Sequence, residues 1–266
     1  MKHVQLGLIG AGNMGMAIVQ GAVTKQILSA NEIGIIDHHQ HNLEKGRQLG
    51  FTLFEDEMQC AEHCSMLMLA IKPQGFEELL SNLKAMKNQP VFISIAAGIS
   101  IDYIQRFFPQ AKVIRVMPNT PLMIGEGATA LCRSESVSDD EFNTIQDLFS
   151  GLGKCCEIKE DKMNAIIAVS GSTPAYVYYF IECLARDAQT QGIDYDLALM
   201  LAAQTFVGAA KLLLQDGRSA EELIDMVCSK GGATIQAMHV LQSRKINEIL
   251  HEANVAAIKR AEELGK

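Results

Sequence analysis

Val4-Gln5-Leu6-Gly7-Leu8-Ile9-Gly10-Ala11-Gly12-Asn13-Met14-Gly15 decides how this chain folds. Val4 to Ile9 reads as a short buried strand. Gly10, Gly12 and Gly15 then give the spacing G-x-G-x-x-G, and the residues up to Thr24 read as a helix. Each glycine answers a separate need. Gly10 permits a tight strand-to-helix turn, Gly12 lets backbone approach a pyrophosphate, and Gly15 lets the helix lie close on the sheet. The helix start offers unpartnered N–H groups and a positive dipole end to phosphate. A second strand, Ile33-Gly34-Ile35-Ile36, follows and ends at Asp37, which completes the context a dinucleotide fingerprint requires. The loop residues Ala11, Asn13 and Met14 belong to the same candidate site.

Working outward, strands and helices alternate. Asn42 to Leu49 reads as a helix stopped by Gly50. Met66 to Ile71 is a continuous apolar run, as expected of a parallel strand covered on both faces. Phe76 to Met86 has helical spacing, and Val91 to Ile95 is the next strand. Ser100 is the expected cap of a helix running to Phe108, and Val113 to Met117 is another strand. Ala128 to Cys132, a helix from Asp140 to Leu152, and Cys155 to Ile158 complete the region. This alternation predicts a parallel α/β sheet. Ligands of such sheets sit outside the carboxyl ends of the strands. Three further segments emerge there: Ala70-Ile71-Lys72-Pro73, Ala96-Ala97-Gly98, and Met117-Pro118-Asn119-Thr120-Pro121.

From about Asp161 the pattern is helical only. Asn164 to Gln191, Leu197 to Gln215, Ala220 to Cys228, Thr234 to Leu241 and a stripe from Ile246 to Leu264 carry it. The expected domains are therefore 1–160, an α/β Rossmann-like dinucleotide-binding domain, and 161–266, an all-helical domain. Leu197 to Leu214 is apolar almost all round, interrupted by Gln204, Thr205 and Lys211. A helix apolar on all sides has no place in a small core of its own, which predicts a second subunit against it.

Composition narrows the function classes. The 266 residues are 48% hydrophobic, with a formal net charge of −8, which argues against nucleic acid and against an anionic membrane surface. Met1-Lys2-His3 leads straight into the first strand, so no secretory signal is read and the cytoplasm is expected. Seven cysteines without paired C-x-x-C units suit reduced thiols better than a disulfide framework or a zinc site. His38, His39 and His41 read as a solvated turn, and no metal is expected. No Ser-His-Asp triad or P-loop lysine accompanies the sheet. The cofactor must then carry the chemistry, which points to hydride transfer. In the helical part, Cys228-Ser229-Lys230-Gly231-Gly232-Ala233-Thr234 opens a helix. Its free N–H groups suit a carboxylate, although an ordinary glycine turn fits that stretch equally well.

With these residues in view, the chain resembles the pyrroline-5-carboxylate reductase family along nearly its whole length. The segments that carry the likeness are Ile9 to Gly15, Ala70 to Gln74, Ser94 to Ser100, Arg115 to Pro121, Ser170-Gly171-Ser172-Thr173-Pro174-Ala175-Tyr176, and Ser229 to Thr234. The resemblance implies reduction of 1-pyrroline-5-carboxylate to L-proline, with NADP(H) as cofactor and NAD(H) as the alternative. It implies a homodimer through the helical domain, assembled further to a decamer in some members, with the active site between one subunit's cofactor domain and its partner's helices. It places Thr234 at the substrate's ring nitrogen, and Ser229, Gly231, Gly232 and Ala233 at its carboxylate. Thr173 stands where the family usually has glycine, and Lys230 where it usually has proline. A β-hydroxyacid dehydrogenase shares the opening motif but needs a catalytic lysine after the sheet, for which Lys162 is the nearest residue. A nicotinamide-binding regulatory module without turnover is the other reading.

Overall fold

The computed structural model describes residues 2–265; Met1 and Lys266, the end positions of the ranges above, lie outside the described residues. Contacts divide the chain into two compact units. One runs to Ser172 and takes in the chain again from Ala257; the other is Thr173–Ala256.

The first unit is a sheet with helices on both faces. In chain order its elements are β1 (Val4–Ile9), α1 (Asn13–Thr24), β2 (Ile33–Ile36), α2 (Gln40–Gln48), β3 (Thr52–Leu53), α3 (Glu57–Glu62) and β4 (Cys64–Leu69). There follow α4 (Phe76–Asn82), β5 (Val91–Ser94), α5 (Ile101–Gln105), β6 (Val113–Met117), β7 (Gly127–Arg133), α6 (Asp139–Ser150) and β8 (Gly153–Glu157). The spatial order is β3-β2-β1-β4-β5-β6-β7-β8. The pairs from β3 to β6 are parallel, in registers such as Leu8 opposite Ile35 and Met68 opposite Ile93.

The expectation of a parallel sheet fails at one seam, because β7 runs antiparallel to β6 and β8 follows it. The cause is the connection. Only a 3₁₀ turn, Thr120–Ile124, separates β6 from β7, too little chain for a crossover helix. The α5 helix is also shorter than expected, ending at Gln105, although Ser100 caps it by accepting from the Tyr103 N–H at 3.0 Å.

Alternation along the strands builds two cores. Leu6, Leu8, Ile33, Ile35, Met66 and Met68 face α1 and α6, with Ile18, Phe142 and Phe149 among their neighbours. Ile9, Ile36, Leu67, Leu69 and Phe92 face the other way, onto Phe76, Leu80 and Ile104. Each of these side chains is essentially removed from water, worth about 1.5–3 kcal/mol apiece. Met163, Ile167 and Ala261 join the second core. That is why this unit extends beyond 160 and includes the last stretch of the chain, from Ala257.

The second unit contains α7 (Thr173–Thr190), α8 (Tyr195–Asp216), α9 (Ala220–Val227), α10 (Ala233–Ser243) and most of α11 (Ile246–Leu264), with no strand among the described residues. The helix read from Asn164 begins instead as a 3₁₀ turn, Ala165–Ala168. Caps fix the ends: Asp194 accepts from the Leu197 N–H at 3.0 Å, and Ser219 and Glu222 form a capping box. Tyr195 donates to Glu182 across α7 and α8. Little else in this unit is covered. Ile181, Ala185 and Ala198 are buried, whereas Tyr179, Leu201, Leu214 and Val240 are exposed. By length and composition α8 could cross a membrane, and one such helix is weak grounds for saying that it does.

Candidate active site

The glycine turn has the geometry its spacing predicts. Gly10 has φ +93°, and a Cβ there would stand 2.7 Å from the Ala70 carbonyl oxygen. A Cβ on Gly15 would meet the Gly10 carbonyl oxygen at 2.5 Å. Over Gly12, the N-cap of α1, nothing lies within 4 Å. No side chain caps this helix, so the first-turn amides of Asn13, Met14 and Gly15 point outward without a partner in the helix. The turn is tied to its neighbours. The Gly10 N–H donates to Ile36 and the Ala70 N–H to Ile9, at 3.0 and 2.9 Å. Open backbone, free amides and a helix dipole fit a pyrophosphate.

Beside the turn is a cleft of about 550 Å³. Of the sequence-predicted cofactor residues, Gly10, Asp37, Ala70, Ile71 and Lys72 line it. Ala11 is buried under the turn, and Gly12 and Asn13 are exposed. Pro73 opens the 3₁₀ turn Pro73–Gly75 that follows Lys72. The Asp37 carboxylate accepts from the His39 N–H at 2.7 Å, which shapes the turn after β2 and leaves its other oxygen uncommitted to that bond. Sequence reading missed Glu57, Glu78, Leu79 and Asn82, which also line it. It missed Glu57 because α3 is short, its signal being Asp56 with Gln59 three residues on; Glu78, Leu79 and Asn82 lie in α4, read as a helix but not as part of the site. The Asp56 carboxylate accepts from the Gln59 N–H at 2.6 Å, and the Gln59 side chain accepts from the Glu55 N–H at 2.8 Å.

The remaining predicted cofactor residues do not line this cleft. Ala96 is buried in a core and Ala97 packs against the same one. Gly98 has φ +84°, and a Cβ on it would collide with the carbonyl oxygen of Ala261 in α11. Its glycine identity answers that packing. Asn119 is buried. Its amide oxygen accepts from the Ala128 N–H at 2.9 Å and its amide nitrogen donates to the Ser170 carbonyl at 3.1 Å, so it anchors the β6–β7 turn.

Arg115, at 3% exposure, was not singled out by sequence as a site residue. Its Nη2 donates to Asn164 at 2.6 Å, and its Nη1 lies 3.7 Å from Glu160, which also accepts from the Ile101 N–H at 2.6 Å. Burial pushes the guanidinium below its ordinary pKa, while Glu160 pulls it back. The group pins the chain's exit from the sheet. Lys162 is two-thirds exposed, lies in the 3₁₀ turn Glu160–Lys162 and pairs with Asp161 at 3.1 Å, a poor setting for a catalytic base. Cys60, Cys64 and Cys132 are buried thiols; burial raises the Cys132 pKa to about 12, so it acts as a small apolar side chain. The solvated-turn reading of the histidines fits His38, exposed and 3.4 Å from Glu57.

In the helical unit, Gly232 is the N-cap of α10, Ala233 its first residue and Thr234 its second. Gly231 has φ +78°, and the Gly232 N–H donates to the Ser229 carbonyl at 2.9 Å. A Cβ on Gly232 would come within 2.5 Å of the Ser229 hydroxyl, so glycine keeps that hydroxyl folded over the helix start. No side chain caps α10, and Thr234 is exposed. The turn therefore presents two hydroxyls and a set of free amides at the positive end of a helix. Lys230 is exposed in the same turn, and Thr173 opens α7.

Comparison with known proteins matches both parts of the chain. Residues 160–264 match the family model for pyrroline-5-carboxylate reductase dimerisation, and residues 5–98 match that for NADP oxidoreductase, coenzyme F420-dependent. The chain is 35% identical to the pyrroline-5-carboxylate reductase of Methanosarcina acetivorans over all of both chains, and 36% identical to that of Synechocystis over 99% of each. The structure is similar to Plasmodium falciparum pyrroline carboxylate reductase with NADP bound, at TM-score 0.89 and 27% identity over the whole of both chains. It is equally similar, at TM-score 0.89 and 31% identity over the whole of both, to the Coxiella burnetii pyrroline-5-carboxylate reductase.

Proposed function

Because the chain belongs to the pyrroline-5-carboxylate reductase family, we propose that it catalyses the last step of proline biosynthesis, reducing 1-pyrroline-5-carboxylate to L-proline with NADP(H). The observation that carries this is the open glycine turn at the head of α1, in a chain that matches these reductases from end to end.

When bound, the reduced nicotinamide supplies a hydride to C5 of the cyclic imine. Gly10, Ala11, Gly12, Asn13, Met14 and Gly15 hold the pyrophosphate through backbone. Asp37 faces the adenosine ribose, while Ala70, Ile71, Lys72, Pro73, Ala96, Ala97, Gly98 and Asn119 shape the rest of the carboxyl edge. The Ser229 hydroxyl and the amides of Gly231, Gly232, Ala233 and Thr234 hold the substrate carboxylate, each dipole contact adding about 0.3–1 kcal/mol. The Thr234 hydroxyl bonds the ring nitrogen. As C5 gains hydride, the C=N π pair becomes an N–H bond with a proton from water. An iminium is electrophilic by itself, so the chain needs no strong acid.

Asp37 supports use of NADH beside NADPH, since a carboxylate at the end of β2 accepts from ribose hydroxyls. The exposed apolar side chains of α8 support a homodimer through the helical unit, and the decamer of the resemblance is the larger assembly. The seven free cysteines suit a reducing compartment, the cytoplasm. The test is to mix the purified protein, reduced cofactor and 1-pyrroline-5-carboxylate, follow the nicotinamide absorbance and identify proline. Cofactor binding without oxidation would favour the regulatory module instead.

A further inference from the structure

The cleft beside the glycine turn carries more charges than the cofactor reading above assigns. Asp37, His38 and His39 come from the turn after β2, Glu57 opens α3, Lys72 follows β4, and Glu78 stands in α4. His41 lies in the first turn of α2, outside the lining. With neutral imidazoles, the lining holds three carboxylates, Asp37, Glu57 and Glu78, against one ammonium, Lys72. With both lining imidazoles charged, the two signs balance. His38 is an exposed member of this set. Its side chain is 88% exposed, and its Nε2 lies 3.4 Å from a Glu57 carboxylate oxygen. The His39 backbone, by contrast, is fixed by its bond to Asp37.

The two nicotinamide dinucleotides differ by one 2′-phosphate on the adenosine ribose. We propose that His38 sets how strongly this cleft takes the phosphorylated dinucleotide over the unphosphorylated one, more strongly when its ring is protonated. The proposal rests on the cofactor reading of this cleft given above. A charged ring offers its N–H to the phosphate in competition with Glu57. A neutral ring leaves the Asp37 and Glu57 carboxylates unanswered against the phosphate. Imidazole is the side chain whose ordinary ionisation falls in the physiological range, so cofactor choice becomes sensitive to acidity.

The experiment is calorimetric titration of the full chain with NADP⁺ and with NAD⁺, at about pH 6 and about pH 8. The phosphate's own ionisation moves every variant alike, so the readout is the difference between variants. The wild-type ratio of NADP⁺ to NAD⁺ affinity should lose about fivefold more across that interval than the ratio for His38→Gln, the scale of one exposed charge pair. His38→Arg, a permanent cation, should restore the high ratio at the upper pH. Identical pH courses for wild type and His38→Gln overturn the proposal, as does a His38→Arg ratio no higher than wild type at the upper pH. A course flattened by His39→Gln and not by His38→Gln also overturns it. NAD⁺ binding retained in all variants shows the cofactor reading intact, whereas wild-type protein that binds neither dinucleotide overturns that reading and the proposal with it.

Discussion

In β4, five of six residues are buried, under helices that the same unit provides. In α8, only Ala198 of twenty-two residues is buried, although its composition is comparably apolar. The two stretches look alike in being rich in Leu and Met. What separates them is the number of layers that can reach them. A central parallel strand receives helices on both faces from the crossovers that flank it. A long helix in a unit of five helices has too few neighbours to cover its circumference. Apolar sequence thus reports how much surface must be hidden, and the topology of the unit reports whether the chain can hide it alone.

The sharpest way to break this comparison is on α8. Replacing Met200 and Leu201 together by Glu should dissociate the oligomer and abolish activity, because burying unpaired carboxylates costs several kcal/mol. Sedimentation and turnover check it; an intact, active oligomer would place the subunit contact elsewhere. The same premise expects no stable folded monomer of the wild type at submicromolar concentration.

The sheet unit gives the next test. Gly15→Ala puts a methyl 2.5 Å from the Gly10 carbonyl oxygen, a contact that only a backbone shift relieves. The cost should be about 1–3 kcal/mol in thermal stability, together with at least about tenfold weaker cofactor binding by fluorescence titration. Unchanged binding would show that the turn tolerates a side chain and that its closeness is incidental.

Smaller effects separate the two units by function. Thr234→Val should lower kcat by about ten- to a hundredfold, the loss of one bond to a reacting nitrogen. Cofactor affinity should stay near wild type. Steady-state kinetics with wild-type turnover would remove Thr234 from the chemistry. Asp37→Ser acts only on the other unit: the NADPH to NADH ratio of kcat/KM should rise by about three- to tenfold, the scale of one hydrogen bond. An unchanged ratio means that Asp37 serves the turn to His39 and does not read the ribose.

The sheet's central strands and the glycine turn were legible because their signals are local. A strand, three glycines and a helix sit in one short stretch, and each glycine's reason lies within reach of that stretch. Gly98 was legible as a glycine at the right sheet edge, but not its packing, since the atoms that forbid a side chain there belong to Ala261. The structural bonds of Asn119 were hidden in a similar way. It looks like a ligand-facing amide, yet both its hydrogen bonds go to backbone distant in sequence. The reversal at β7 was hidden because β7 reads like any other strand, and only the shortness of the Pro118–Glu126 connection betrays it. Glu57 and Glu78 were missed because charged residues on short helices carry no period.

The meeting of Gly98 with the last turn of α11 has a consequence for the order in which this protein comes into being. The sheet unit is interrupted in sequence, and the helical unit is written inside it. A growing chain therefore emits every strand, then the whole helical unit, before the piece that covers Gly98 appears. Until then that corner of the sheet stays open to water. Joining ends so far apart carries a loop-closure cost that grows slowly with length. A gene cut at Ser172 yields a sheet unit lacking its closing piece.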